Sequence, residues 1–161
     1  MIAPTTTPSD PSFWQALLRL HGHRCPMSIL GARLGLAALD VLGPERAGRR
    51  LSARYLHQTC ALDGIQLATS CTLGNGNLQV EAKGEHRLLL WDPETREQAR
   101  VRLTAEALEV GRRYAELRGR RDALAPGSQE RAAGEARMEE LLRELEEAPT
   151  PSLVATESVE A

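Results

Sequence analysis

The stretch Met27–Leu42 constrains this chain more than any other. It is rich in Leu, Ala and Ile, and Arg33 and Asp40 are its only charged residues. A helix that is apolar on most of its faces has to be surrounded by the rest of the fold. The stretch therefore predicts a central helix. Gly31 and Gly35 lower its helix propensity but allow a neighbour to pack closely. Pro26 suits its first turn and Gly43-Pro44 ends it.

Other elements fall into place around it. Residues 1–11 hold three Pro and four Ser/Thr and read as a flexible leader. Asp10 or Ser12 can cap a first helix whose Phe13, Trp14, Leu17, Leu18 and Leu20 have helical spacing, with Gly22 at its end. Residues 50–58 alternate as a strand, and Thr59–Thr69 reads as a helix. Leu78–Ala82 and His86–Trp91, joined by Lys83-Gly84, read as a hairpin, and a further strand is expected at Ala99–Leu103. Thr104 caps a helix that runs to about Leu124. Ala125-Pro126-Gly127 breaks the pattern, and Ser128 starts a last helix with Arg131 where a capping-box Glu would sit. The stripe Met138, Leu141, Leu142 and Leu145 must dock on this domain or on a second copy. The expected fold class is α+β, a small antiparallel sheet packed against helices with a C-terminal helical extension. The organisation follows as a leader (1–11), a core domain (12–124), a C-terminal helix (125–147) and a disordered tail (148–161).

The chain of 161 residues is long enough for one domain with a real core. Aromatics make up only 3%, so aliphatic residues must fill that core. A net charge of −2 gives no basic footprint, and nucleic acid is not an expected partner. No run of about 20 apolar residues is present, so no membrane span is expected. The first residues do not resemble a secretory signal, which points to the cytoplasm. Thiols stay reduced there, and three Cys do not make a disulfide framework.

All three Cys and three of the four His lie between residues 21 and 71. Imidazole and thiolate are the preferred ligands of zinc and other divalent transition metals. His21, His23 and Cys25 share one corner braced by Gly22 and Pro26, and Cys60 and Cys71 flank the third helix. The helix N-terminus is expected to lower the Cys60 pKa and favour a thiolate. Gly74, Asn75, Gly76 and Asn77 form a loop whose backbone N–H groups can face an anion or cofactor, or serve only the turn. It is not a P-loop, because no Lys-Ser/Thr follows. Each Cys taken alone also fits a buried core position. Asp63 fits a helix-dipole role as well as that of a base, and His57 and His86 read as structural or exposed.

Three ordered segments carry a resemblance: His21–Pro26 (HGHRCP), Cys60–Gln66 (CALDGIQ) and Ser70–Leu78 (SCTLGNGNL). Together they resemble the FmdE family, named for a component of formylmethanofuran dehydrogenase, whose pattern is HGHxCPG, CxxDAIQ and GCTxGKGN, over residues 12–117. Met27, Ser70 and Asn75 depart from it, where Gly, Gly and Lys are usual. Larger members resemble this chain with a zinc ribbon added, and no Cys follows Cys71 here. The resemblance implies an α+β domain, often dimeric, with a His/Cys site that commonly holds zinc. His21, His23, Cys25, Cys60, Cys71, Asp63, Gln66 and Asn77 fall on motif positions.

The expected function is a metal-binding accessory protein for a molybdenum- or tungsten-type redox enzyme or its cofactor supply. It is expected to be a homodimer with a redox-enzyme partner. One alternative is a small metal- or thiol-dependent enzyme with Cys60 as nucleophile, or with Asp63 or His23 as base. Another is a closed structural metal site in an interaction protein.

Overall fold

The computed structural model of the chain describes residues 10–46 and 48–157. Residues 1–9 of the expected leader and 158–161 of the expected tail lie outside the described residues, and Pro11 is already helical. The first helix, α1 (Pro11–His21), starts where the Asp10 carboxylate accepts a hydrogen bond from the Ser12 N–H at 2.9 Å. It stops at Gly22, whose left-handed φ of 87° lets its N–H reach the Leu18 carbonyl. After a short corner, α2 (Pro26–Leu42) begins with Cys25 as its cap, the sulfur accepting from the Ser28 N–H at 3.3 Å.

Helix α2 is the centre of the molecule. Leu30, Ala32, Leu34 and Ala38 have no exposed surface. The single cation in its middle is buried too: Arg33 is 1% exposed. Its guanidinium donates to the carbonyls of Leu145, Glu146 and Ala148 and to Thr150 Oγ1. These carbonyls are acceptors left over at the C-terminal end of another helix, so the burial of one charge closes the end of a second element.

A five-stranded sheet covers one side of α2. The strands are β1 (Ser52–Tyr55), β2 (Leu78–Val80), β3 (Arg87–Trp91), β4 (Gln98–Leu103) and β5 (Val154–Glu157), in the order β2-β1-β3-β4-β5. Inward residues Ala53, Tyr55, Leu88, Leu90, Ala99, Val101 and Val154 face the helices, and Arg54, Arg87, Arg100 and Arg102 alternate outward. Helix α3 (Ala61–Thr69) packs on α2 from the other side. Helices α4 (Ala105–Asp122) and α5 (Gln129–Glu147) complete the layer, capped by Thr104 and Ser128. The Arg131 guanidinium donates to the Leu124 carbonyl and so ties the two together. Met138, Leu141, Leu142 and Leu145 are all buried within this chain, where α5 packs against α2 and α4. The fold is α+β, with a mostly antiparallel sheet.

Two expectations need correction. β2 and β3 do not form a hairpin, because β1 lies between them. α3 makes β1-α3-β2 a crossover, so β2 runs parallel to β1, with Ala53 opposite Leu78. The chain then passes over the end of β1, where the N–H groups of Lys83 and Glu85 both reach the Leu56 carbonyl. Gly84, at φ 72°, turns that path rather than a two-strand ribbon.

The stretch 150–157 is also ordered, not part of a disordered tail. It forms a short helix, α6 (Thr150–Leu153), and then β5, which pairs antiparallel with β4. Leu153 and Val154 are buried, and Thr104 Oγ1 donates to the Ser152 carbonyl at 2.6 Å. Two apolar side chains on an existing sheet edge suffice for this, and they leave no periodicity to read. No helix among the described residues is long and apolar enough to cross a membrane.

Candidate metal centre

Three helix ends meet at one point. His21 is the last residue of α1, Cys25 caps α2, and Cys60 immediately precedes α3. Their meeting depends on how closely α2 and α3 cross. A Cβ on Gly31 would overlap the Ala61 carbonyl, and one on Gly64 would overlap the Ser28 carbonyl and the Ala32 N–H. Backbone lies on backbone at this crossing, and the starts of the two helices, with their cysteines, are brought together.

One ligand atom from each of His21, Cys25 and Cys60 lies within 4.8 Å of the others. His21 Nε2 is 3.4 Å from Cys25 Sγ, while its Nδ1 donates to Asp63 Oδ2 at 2.7 Å. Asp63 is held in turn by Gln66 Nε2, at 3.2 Å. The carboxylate therefore fixes the imidazole tautomer with the proton on Nδ1 and leaves the Nε2 lone pair toward the thiols, the usual support of a metal-bound histidine. Cys25 is 8% exposed, and the Ser28 N–H steadies its sulfur. Arg24 fixes the corner to α5 through Glu139 and Glu146.

Two thiols and one neutral imidazole suit zinc or a related ion. Around a tetrahedral zinc, S and N ligand atoms are roughly 3.5–3.8 Å apart. The Nε2–Sγ spacing is already that short, and the remaining atoms need only small side-chain rotations.

The Cys60 thiol differs from expectation. Its pKa is raised, not lowered: partial burial of the sulfur is the largest cause, followed by the neighbouring Cys25, with Asp63 adding to it. Cys60 makes no side-chain cap to α3, and the lowering effect of its backbone hydrogen bond is outweighed by burial and Cys25. A dication between the two sulfurs would reverse the balance by favouring both thiolates.

The remaining candidates stand differently. His23 is exposed and lies ring to ring with His21 at 4.5 Å, outside the three-residue group. Cys71 is set apart at the far end of α3, about 13 Å along a nine-residue helix. It is 1% exposed within the hydrophobic core, and burial pushes its thiol pKa up. Ser70 before it adopts a left-handed φ of 59°, the conformation for which Gly is suited. The loop Gly74–Asn77 is at this same far end. Asn75 Oδ1 accepts from the N–H groups of Thr72 and Asn77, and Asn75 Nδ2 donates to the Ser70 carbonyl. Its side chain is thus engaged in holding the turn.

Two features had no sequence signal. One is the pairing of Asp63 with His21 across 42 positions. The other is a cleft of about 480 Å³ in which Cys25, Cys60 and His23 face Leu108, Arg112, Tyr114 and Arg118 of α4. Nothing in the α4 sequence marks those residues as the wall of a cleft. His57 and His86 lie elsewhere, ring to ring at 4.8 Å. The Tyr55 phenol, pushed by burial to about 12, keeps its proton and shares a hydrogen bond with His86 Nδ1 at 3.1 Å.

Comparison with known proteins bears on the family and the fold. The family model described as "FmdE, Molybdenum formylmethanofuran dehydrogenase operon" matches residues 20–155. A probable S-adenosyl-L-methionine-binding protein of Archaeoglobus fulgidus is 35% identical over 91 residues, which is 53% of this chain and 25% of that protein. The chain thus spans about a quarter of that relative's length. The crystal structure of an FmdE-like protein of the tungsten formylmethanofuran dehydrogenase type, from Syntrophus aciditrophicus, superposes with a TM-score of 0.61 at 27% identity. The superposition covers 93% of this chain and 71% of that one.

Proposed function

The chain belongs to the FmdE family, and we propose that it is a zinc-binding accessory protein for a molybdenum- or tungsten-type redox enzyme or for that enzyme's cofactor supply. The observation that carries this reading is the convergence of His21, Cys25 and Cys60 within 4.8 Å, with Asp63 holding the histidine. His21, Cys25 and Cys60 are the ligands in this proposal. Cys71 is a core residue, and His23 flanks the site without being needed to hold the ion. The working form is a homodimer in the reducing cytoplasm.

Zinc bound here supplies a Lewis acid between two thiolates. The chain's own residues supply the rest. Asp63 keeps the His21 proton on Nδ1, Ser28 and the start of α2 steady Cys25, and Cys60 presents the exposed sulfur to the cleft. A ligand set open on one side favours metal or group transfer over a closed structural site. The same cleft supports a second reading, a small metal-dependent enzyme. In it Cys60 and not Asp63 is the reactive group, since both Asp63 oxygens are engaged by His21 and Gln66.

The test is metal content by elemental mass spectrometry on untagged protein purified without chelator. The expected result is about one zinc per chain in the wild type, in Cys71→Ser and in His23→Ala, and its loss in His21→Ala, Cys25→Ser and Cys60→Ser. A wild type that takes up no metal after zinc is added would overturn the proposal.

A further inference from the structure

We infer that the cleft beside the cluster binds a small organic monocarboxylate, with its apolar body along α4 and its carboxylate on Arg118. This deepens the function proposed above and rests on it in one respect, that the far end of the ligand lies at the metal.

The cavity, at about 480 Å³, is of the size that takes small molecules, and its walls have the usual character of mostly apolar surface with few polar groups. Met27, Leu108, Tyr114 and Ala115 supply the apolar surface, and Cys25 and Cys60 open on the same space. Leu108 is one of the large apolar side chains left exposed, at 38%. Gly111 keeps the α4 wall low, since a Cβ there would meet nothing within 4 Å.

Charge selects the ligand. Arg112 pairs with Glu109 and Glu116, and Arg113 also reaches Glu109, at 3.6 Å. Two cations and two anions cancel. Arg118 also lines the cleft, and among the described residues it has no hydrogen bond or ion pair. One uncompensated, solvent-exposed guanidinium remains at the rim of a mostly apolar cleft. Its planar fork fits a carboxylate with two parallel hydrogen bonds. A phosphate monoester would bring a second negative charge beside Glu109 and Glu116 with no cation left for it.

The experiment is isothermal titration of the full chain, zinc-loaded and zinc-free, with three probes: 3-phenylpropionate, its neutral amide 3-phenylpropionamide, and phenyl phosphate. The carboxylate is expected to bind the wild type about tenfold more tightly than the amide, the scale of a charge-assisted hydrogen bond, and more tightly than the phosphate. Arg118→Gln should bring the carboxylate-to-amide ratio close to one, with zinc content and circular dichroism unchanged. Equal binding of acid and amide, tighter phosphate binding, a ratio that survives Arg118→Gln, or no binding of any probe would overturn the inference. A wild type that shows the preference but never takes up zinc would overturn the metal reading and its one dependent clause, leaving the carboxylate site standing. A zinc-loaded wild type without the preference would do the reverse.

Discussion

Among single residues, Asp63 has the most to do at the site without touching the proposed ion. Its carboxylate decides which imidazole nitrogen of His21 is free, and Gln66 keeps that carboxylate in place. Asp63→Asn preserves the shape but can present an N–H to His21 and so select the wrong tautomer. Outer-shell changes of this kind cost roughly 10–100-fold in metal affinity. We expect a loss in that range for Asp63→Asn in competition with a zinc chelator, with thermal stability of the metal-free chain nearly unchanged. An affinity equal to wild type would show that His21 needs no orienting partner. At this scale the sequence was informative about residue type and silent about location. Cys25, Cys60 and Cys71 all fit the family pattern. Only the packing shows that α3 separates the third from the other two by its whole length.

Between elements, the crossing of α2 and α3 is what turns three distant positions into one site. Gly31→Ala would force its new methyl group into the Ala61 backbone carbonyl, and backbone cannot move aside as a side chain can. Overpacking of this kind costs about 1–3 kcal/mol. We expect Gly31→Ala to lower the denaturation midpoint by that equivalent and to weaken zinc binding as well, because the helices carry Cys25 and Cys60 apart. Gly111→Ala, which meets open space, is the control that should do neither. Much at this scale was readable: the caps Asp10, Thr104 and Ser128 and the stops at Gly22 and Gly43 are local chemistry, written within three or four residues. The β1-α3-β2 crossover was not. A Lys-Gly turn between two apolar runs looks the same whether the chain doubles back or steps over a third strand. β5 escaped for a related reason, since an edge strand borrows its register from β4 and needs little pattern of its own.

Across the whole molecule, protonation away from the metal centre is linked to stability. Burial and the facing His57 lower the His86 pKa below its ordinary value. Below about 6.5 the unfolded chain therefore takes up a proton that the folded chain resists. This part of the stability is accordingly present at neutral pH and is lost as pH falls through the histidine range. Denaturant unfolding of the metal-free chain should show stability rising from about pH 5 to about pH 7.5, with a shallower rise in His86→Gln. An identical slope would place the pH dependence in other groups. His86 is partly exposed, so solvent keeps the contribution small.

The position of His21 at the very end of α1 has a consequence for communication. The proposed ion, held by His21, Cys25 and Cys60, would act as a rivet through three helix ends. Of these, α1 is joined to the body by a short linker and is otherwise anchored mainly through Leu17, Phe13 and Trp14. If the proposed ion is bound, its occupancy would set how firmly the N-terminal helix is fastened. A partner that grips α1 can sense whether the chain is charged with metal, and it need never approach the ion.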